Sequence, residues 1–147
     1  MDEILELRHC VEEQRYSDAL LIIGAMEEMA KDEKINKIGN YVIIMLIHLI
    51  KEQAEKRTTQ LWEISLRNAV LQIQKSNRRR KSGGFYLSEE ELRVTIEENY
   101  PMALNYASLE TFGGVYSPKQ LTKMVNQQDI AHYALNLILY GFSDEEV

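Results

Sequence analysis

Between Ile35 and Leu49 the apolar positions Ile35, Ile38, Val42, Met45 and Leu49 alternate steps of three and four, the spacing of a packed helix seam. Ile43, Leu46, Ile47 and Ile50 widen the seam until most of the helix is apolar, and a helix apolar nearly all round must be buried. The pattern predicts a central helix over about 33–55, with Asp32 as its cap. Val42-Ile43-Ile44 would suit a strand, but the register continuing upstream through Ile35 and Ile38 decides for helix.

The rest of the chain is also helical in period. Asp2 can cap a first helix reaching about Gln14, with Ile4, Leu7 and Val11 along one side and a bend at Arg15-Tyr16. Ser17 caps a second, which carries Leu20, Ile23 and Met26 and ends near Lys31. Gly24 inside it suggests a neighbouring backbone close by. Lys56-Arg57-Thr58-Thr59 forms a turn, and the following helix to about Asn77 turns Leu66, Ala69, Val70 and Ile73 inward. The cations Arg78, Arg79, Arg80 and Lys81 with Gly83-Gly84 mark a mobile basic loop at about 77–86. Ser88 to Glu91 is a capping box; Ser117-Pro118-Lys119-Gln120 is a second, with proline at the first helical position. Pro101 either kinks the intervening helix or opens a short one, and Gly113-Gly114 breaks the chain. Asp129 can cap a last helix that stops at Gly141. The expectation is an all-α single domain, 1–147, a bundle of about six to eight helices around the buried central one.

Composition agrees with this picture. The chain has 147 residues, 45% hydrophobic and 27% charged, enough for one real core. Two prolines and seven glycines favour long helices over strands and turns. A formal charge of -6 excludes a surface built throughout for nucleic acid. Cys10 is the single cysteine, so neither an intrachain disulfide nor a cysteine metal cluster can form, as suits a reducing, cytoplasmic setting. The acidic start MDEILELRHC does not read as a signal peptide, and the apolar run Tyr41–Ile50 is shorter than the roughly 18–20 residues of a membrane span.

Candidate chemistry is sparse. Glu6 with His9 and Asp129 with His132 have the carboxylate-x-x-histidine spacing of a bundle metal site, but both pairs lie opposite the apolar stripes and should face water. His48 shares a flank of the central helix with Tyr41, Ile44, Glu52 and Glu55. It reads either as a general base oriented by a glutamate, or as a half-buried histidine bonded to Glu52 or a carbonyl, with Lys51 stretching to solvent. From Lys56 to Ser82 eight cations face one anion, Glu63; this basic patch could touch phosphates weakly, or lie against the acidic helix after Ser88. Trp62, with Tyr100, Tyr106, Phe112 and Tyr116, either completes the core or anchors an interface. Glycine-rich phosphate loops, GxSxG and paired-histidine zinc motifs are absent.

The run LIHLIK (46–51), then Gln53, Glu55, Arg57, Trp62 and SLRNAVLQIQ (65–74), resembles the predominantly cyanobacterial domain-of-unknown-function family twenty-nine. ELRHCVEEQRYSDAL, EEMAKDEKINKI and YSPKQLTKMV extend the likeness over nearly the whole chain. The resemblance implies an all-helical cytoplasmic domain and brings no catalytic residue or cofactor. It marks His48, Lys51, Gln53, Arg57, Trp62, Arg67 and Asn68 as positions of the family pattern. The expected role is a non-enzymatic helical interaction or self-association module, a homodimer in its simplest form. The alternatives are weak nucleic-acid binding through Lys56, Arg57 and Arg78 to Lys81, and an enzyme or metal protein centred on His48 or the carboxylate–histidine pairs.

Overall fold

The computed structural model describes residues 2–79 and 83–142, and among these it contains six α-helices and one short 3-10 turn. The helices are α1 (Asp2–Glu12), α2 (Tyr16–Glu55), α3 (Gln60–Asn77), α4 (Glu89–Glu110), α5 (Pro118–Leu121) and α6 (Gln127–Tyr140). The all-α expectation holds. Among the described residues no helix is long and apolar enough to cross a membrane.

The expected second and central helices are one. α2 runs without interruption for 40 residues, and Asp32 lies inside it rather than at a cap. No proline or glycine pair stands near Asp32, and a single aspartate inside a helix costs only a fraction of a kcal/mol, about 0.7 at most. Gly24 does not mark a close neighbour either, since nothing lies within 4 Å of the place its Cβ would take.

Contacts divide the chain into two units, Met1–Lys34 and Ile35–Val147. In the first, α1 and the early part of α2 are joined by a bend where Gln14 adopts φ 63° and Arg15 N donates to Cys10 O at 2.7 Å. Cys10 and Ala19 are its buried apolar residues among those described.

The second unit holds the core. Ile38, Val42, Met45, Leu46, Leu49 and Ile50 of α2 are buried, as the seam predicts, and join Leu66, Ala69, Val70 and Ile73 of α3. Leu92, Ile96, Tyr100, Ala103 and Ala107 of α4 and Ile130, Ala134, Leu137 and Ile138 of α6 complete the cluster. Gly39 lies beside the Asn99 amide, 3.3 Å from its missing Cβ, and Lys51 meets Glu110, so α2 and α4 run in the same direction. α6 begins beside Gln53 of α2, whose side-chain oxygen Oε1 accepts from Asn126 N.

Local signals set most helix ends. Thr59 Oγ1 accepts from Trp62 N at 3.1 Å and starts α3; both capping boxes, at Ser88 and Ser117, are complete. α4 continues through Pro101 without ending there. Thr111–Gly114 turns the chain through left-handed φ at Phe112, Gly113 and Gly114. The cap of α6 differs from expectation: Asn126 Oδ1 accepts from Asp129 N at 3.0 Å, which places Asp129 in the first turn. Gly141, φ 74°, closes the helix as read.

The segment expected as a basic loop is pinned at its described ends. Arg78 bridges Phe85, Arg79 N donates to Gly84 O at 3.0 Å, and Tyr86 N to Asn77 O at 2.8 Å. The buried Asn77 amide both accepts from Leu87 N and donates to Leu87 O. A side chain here imitates the two bonds of a strand partner.

Candidate functional site

The helix start capped by Thr59 brings Trp62 to the C-terminal end of α2, where two cations meet its ring. Lys51 Nζ stands 4.4 Å from the ring centroid and Arg57 Cζ 4.7 Å. Lys51 does not stretch to solvent. It is 5% exposed, and its ammonium donates to Glu110 Oε1 at 3.0 Å. Glu110 closes α4, and an ammonium buried this deeply requires such a carboxylate.

The carboxylates expected to serve His48 are engaged elsewhere. Glu52 Oε1 accepts from Thr58 Oγ1 at 2.8 Å. Glu55 takes Arg57 Nε on one oxygen at 2.9 Å and Phe112 N on the other at 3.1 Å. The half-buried His48 keeps Nδ1 buried without a hydrogen-bond partner. Burial first, and then the Lys51 charge, lower its pKa, while Glu110 pulls the other way. The imidazole is therefore neutral at pH 7, opposite to the charged form a guiding carboxylate would favour.

Other marked positions disperse. Gln53 holds the start of α6. Asn68 is exposed on α3. Arg67 lies over Phe142, 4.3 Å from the ring centroid, on the wall of a cleft of about 340 Å³ shared with Glu52, Glu63 and Tyr133. Burial raises the Glu52 pKa in that cleft; the Thr58 bond opposes the rise and the Glu63 charge adds to it. In the basic patch Arg78 is exposed and Arg79 stands over Tyr86 at 5.3 Å, whereas Arg80 and Lys81 lie outside the described residues.

Glu6, His9, Asp129 and His132 are all exposed, and His132 meets Asn136 at 3.2 Å. Among the described residues no three histidine, cysteine, aspartate or glutamate side chains gather as a metal would need. The arrangement thus unites Lys51, Arg57 and Trp62 with Glu55 and Glu110, and leaves Asn68 and the histidine–carboxylate pairs apart from them.

Glu110 is the participant that sequence reasoning missed. It is 59 residues from Lys51, and the only local hint was a carboxylate standing just before a helix-breaking Gly113-Gly114. No family model, curated protein or solved structure matches this chain.

Proposed function

We propose that this chain is a non-enzymatic helical module that works by associating with a second copy of itself. The observation that carries this is the apolar surface of the Met1–Lys34 unit, where Ile4, Leu5, Val11, Tyr16, Leu20, Leu21 and Met29 are all exposed. Two short helical segments cannot build a core by themselves, and amphipathic helices gain stability by burying such faces against another element. The engagement of Lys51 with α4, of Glu52 with the turn after α2, and of Glu55 with Arg57 of that turn and with the Thr111–Gly114 segment supports a structural role for these polar residues. The resemblance to domain-of-unknown-function family twenty-nine, carried by the block from Leu46 to Gln74, supports the same helical, cytoplasmic reading and supplies no activity.

Light scattering across a concentration series tests the proposal. A mass that rises from one chain to two supports it; a strict monomer at high concentration removes it. The surplus of cations over Glu63 between Lys56 and Ser82 supports a second reading, weak nucleic-acid contact. Binding of single-stranded DNA or RNA that survives neutralisation of Arg78 to Lys81 would take that segment out of it.

A further inference from the structure

The outer face of α3 repeats the pattern of a packed seam without a neighbour. Leu61, Ile64, Asn68, Leu71 and Lys75 alternate steps of three and four, and every one is exposed, Leu61 at 72% and Leu71 at 60%. This stripe lies nearly opposite Leu66, Ala69, Val70 and Ile73, which α3 turns into the core. Three apolar side chains, one asparagine and one lysine make up a helix-docking face rather than a solvated one.

The Met1–Lys34 unit carries a matching face. Tyr16, Leu20, Ile23 and Glu27 are spaced four, three and four along α2 and are all exposed, Leu20 at 69%. The charges are complementary too. Ten carboxylates and four cations lie in this unit, so its excess equals the -6 of the whole chain, and from Ile35 onward the charges balance. The cations of that second part concentrate around α3, where Lys56, Arg57, Arg67, Lys75, Arg78 and Arg79 accompany the single anion Glu63.

We propose that the acidic Met1–Lys34 unit of one copy docks its apolar face on the outer face of α3 in a second copy, and that the second copy reciprocates. The inference rests on the self-association reading and says which surfaces meet. Like-with-like pairing is disfavoured, because two acidic units or two basic α3 faces would repel. Unlike pairing buries both stripes and brings opposite charges together. Reciprocity closes the assembly as a two-fold dimer, with each copy giving and receiving the same contact.

Sedimentation of the full chain with two charge-reversed variants tests it. Glu27→Lys/Glu28→Lys changes the acidic unit, and Lys56→Glu/Lys75→Glu changes the α3 face; circular dichroism checks that both remain helical. Wild type is expected to dimerise more weakly as salt rises. Each variant alone should lose affinity by about tenfold or more, and an equimolar mixture of the two should recover it, because each reversed surface then meets an opposite charge. Two weakened variants whose mixture stays monomeric would show that the two reversed surfaces do not meet each other, and the proposal falls. A wild-type dimer insensitive to both variants overturns the docking surfaces while self-association stands. A wild type that is monomeric at every concentration overturns both.

Discussion

Lys51 and Glu110 meet at 3.0 Å across 59 residues of chain, but their side chains sit in unequal environments, 6% and 49% exposed. The ammonium is buried while the carboxylate retains water. Losing one partner therefore does not equal losing the other. Glu110→Gln keeps an acceptor oxygen but removes the charge that balances the ammonium and should cost about 1–2 kcal/mol, below the loss for a fully buried pair. Lys51→Met removes the buried charge, lets Glu110 hydrate, and should stay within about 1 kcal/mol of wild type. Urea denaturation reads both, and the reverse order would mean that the ammonium is not what Glu110 serves.

Trp62 holds two cations, so its removal should exceed the loss of area alone. Trp62→Phe keeps a ring face and should cost less than Trp62→Leu, by about 1 kcal/mol, since a desolvated cation over a ring contributes about that much or more. Thermal denaturation of the two variants compares them. Equal stability would assign Trp62 to packing only.

His48 gives stability a definite pH dependence. Its folded pKa lies below the usual 6.5 because of burial and Lys51. The unfolded chain then takes up a proton near that pH while the folded chain resists it, so stability is held above about 6.5 and lost as pH falls toward the folded pKa. Glu52 acts in the opposite sense in the carboxylate range, where its raised pKa lets the folded chain protonate first. Urea midpoints between about pH 7.5 and 5.5 should fall for wild type and flatten in His48→Gln. A variant as steep as wild type would place the slope on another group.

The cap of α6 is decided by which side chain accepts the first free amide. Asn126→Ala should cost about 1 kcal/mol. Asp129→Asn alters only the charge in the first turn and should cost a few tenths, about 0.3–1 kcal/mol at most. Denaturation midpoints in the opposite order would return the cap to Asp129.

Two glycines should respond in opposite directions. Gly24 is exposed inside α2 with open space around it, so Gly24→Ala should stabilise by about 0.5–1 kcal/mol. Gly114 has φ +78° and a Cβ there would stand 3.0 Å from Leu109 O, so Gly114→Ala should destabilise by about 1 kcal/mol or more. Thermal midpoints measure both, and a loss at Gly24 would indicate a neighbour on that face.

Helix periods, inner faces and the caps at Ser88, Ser117 and Gly141 were legible in the residues themselves, because each depends on groups within a turn or two of chain. The seam from Ile35 to Leu49, the Ser88 and Ser117 boxes and the Gly141 stop are of this kind. Ser17, expected as a cap, lies inside α2. The fusion of two expected helices at Asp32 was not legible, because a residue that can cap is equally able to sit inside a helix whose neighbours favour it. Nor was the Asn77 clasp on Leu87, which needs the chain to return beside it.

The Tyr41–Arg67 stretch shows the division most clearly. Its sequence determined a buried helix, a turn at Lys56 and a capped helix that presents Trp62. Only the tertiary structure decided what its polar residues do. α4 runs alongside α2 and ends at Glu110, which turns Lys51 inward, and the Glu55 carboxylate is shared by Arg57 and the Phe112 amide. Periodicity is a property of neighbours along the chain, whereas the destination of a buried charge depends on which distant carboxylate the fold brings within reach.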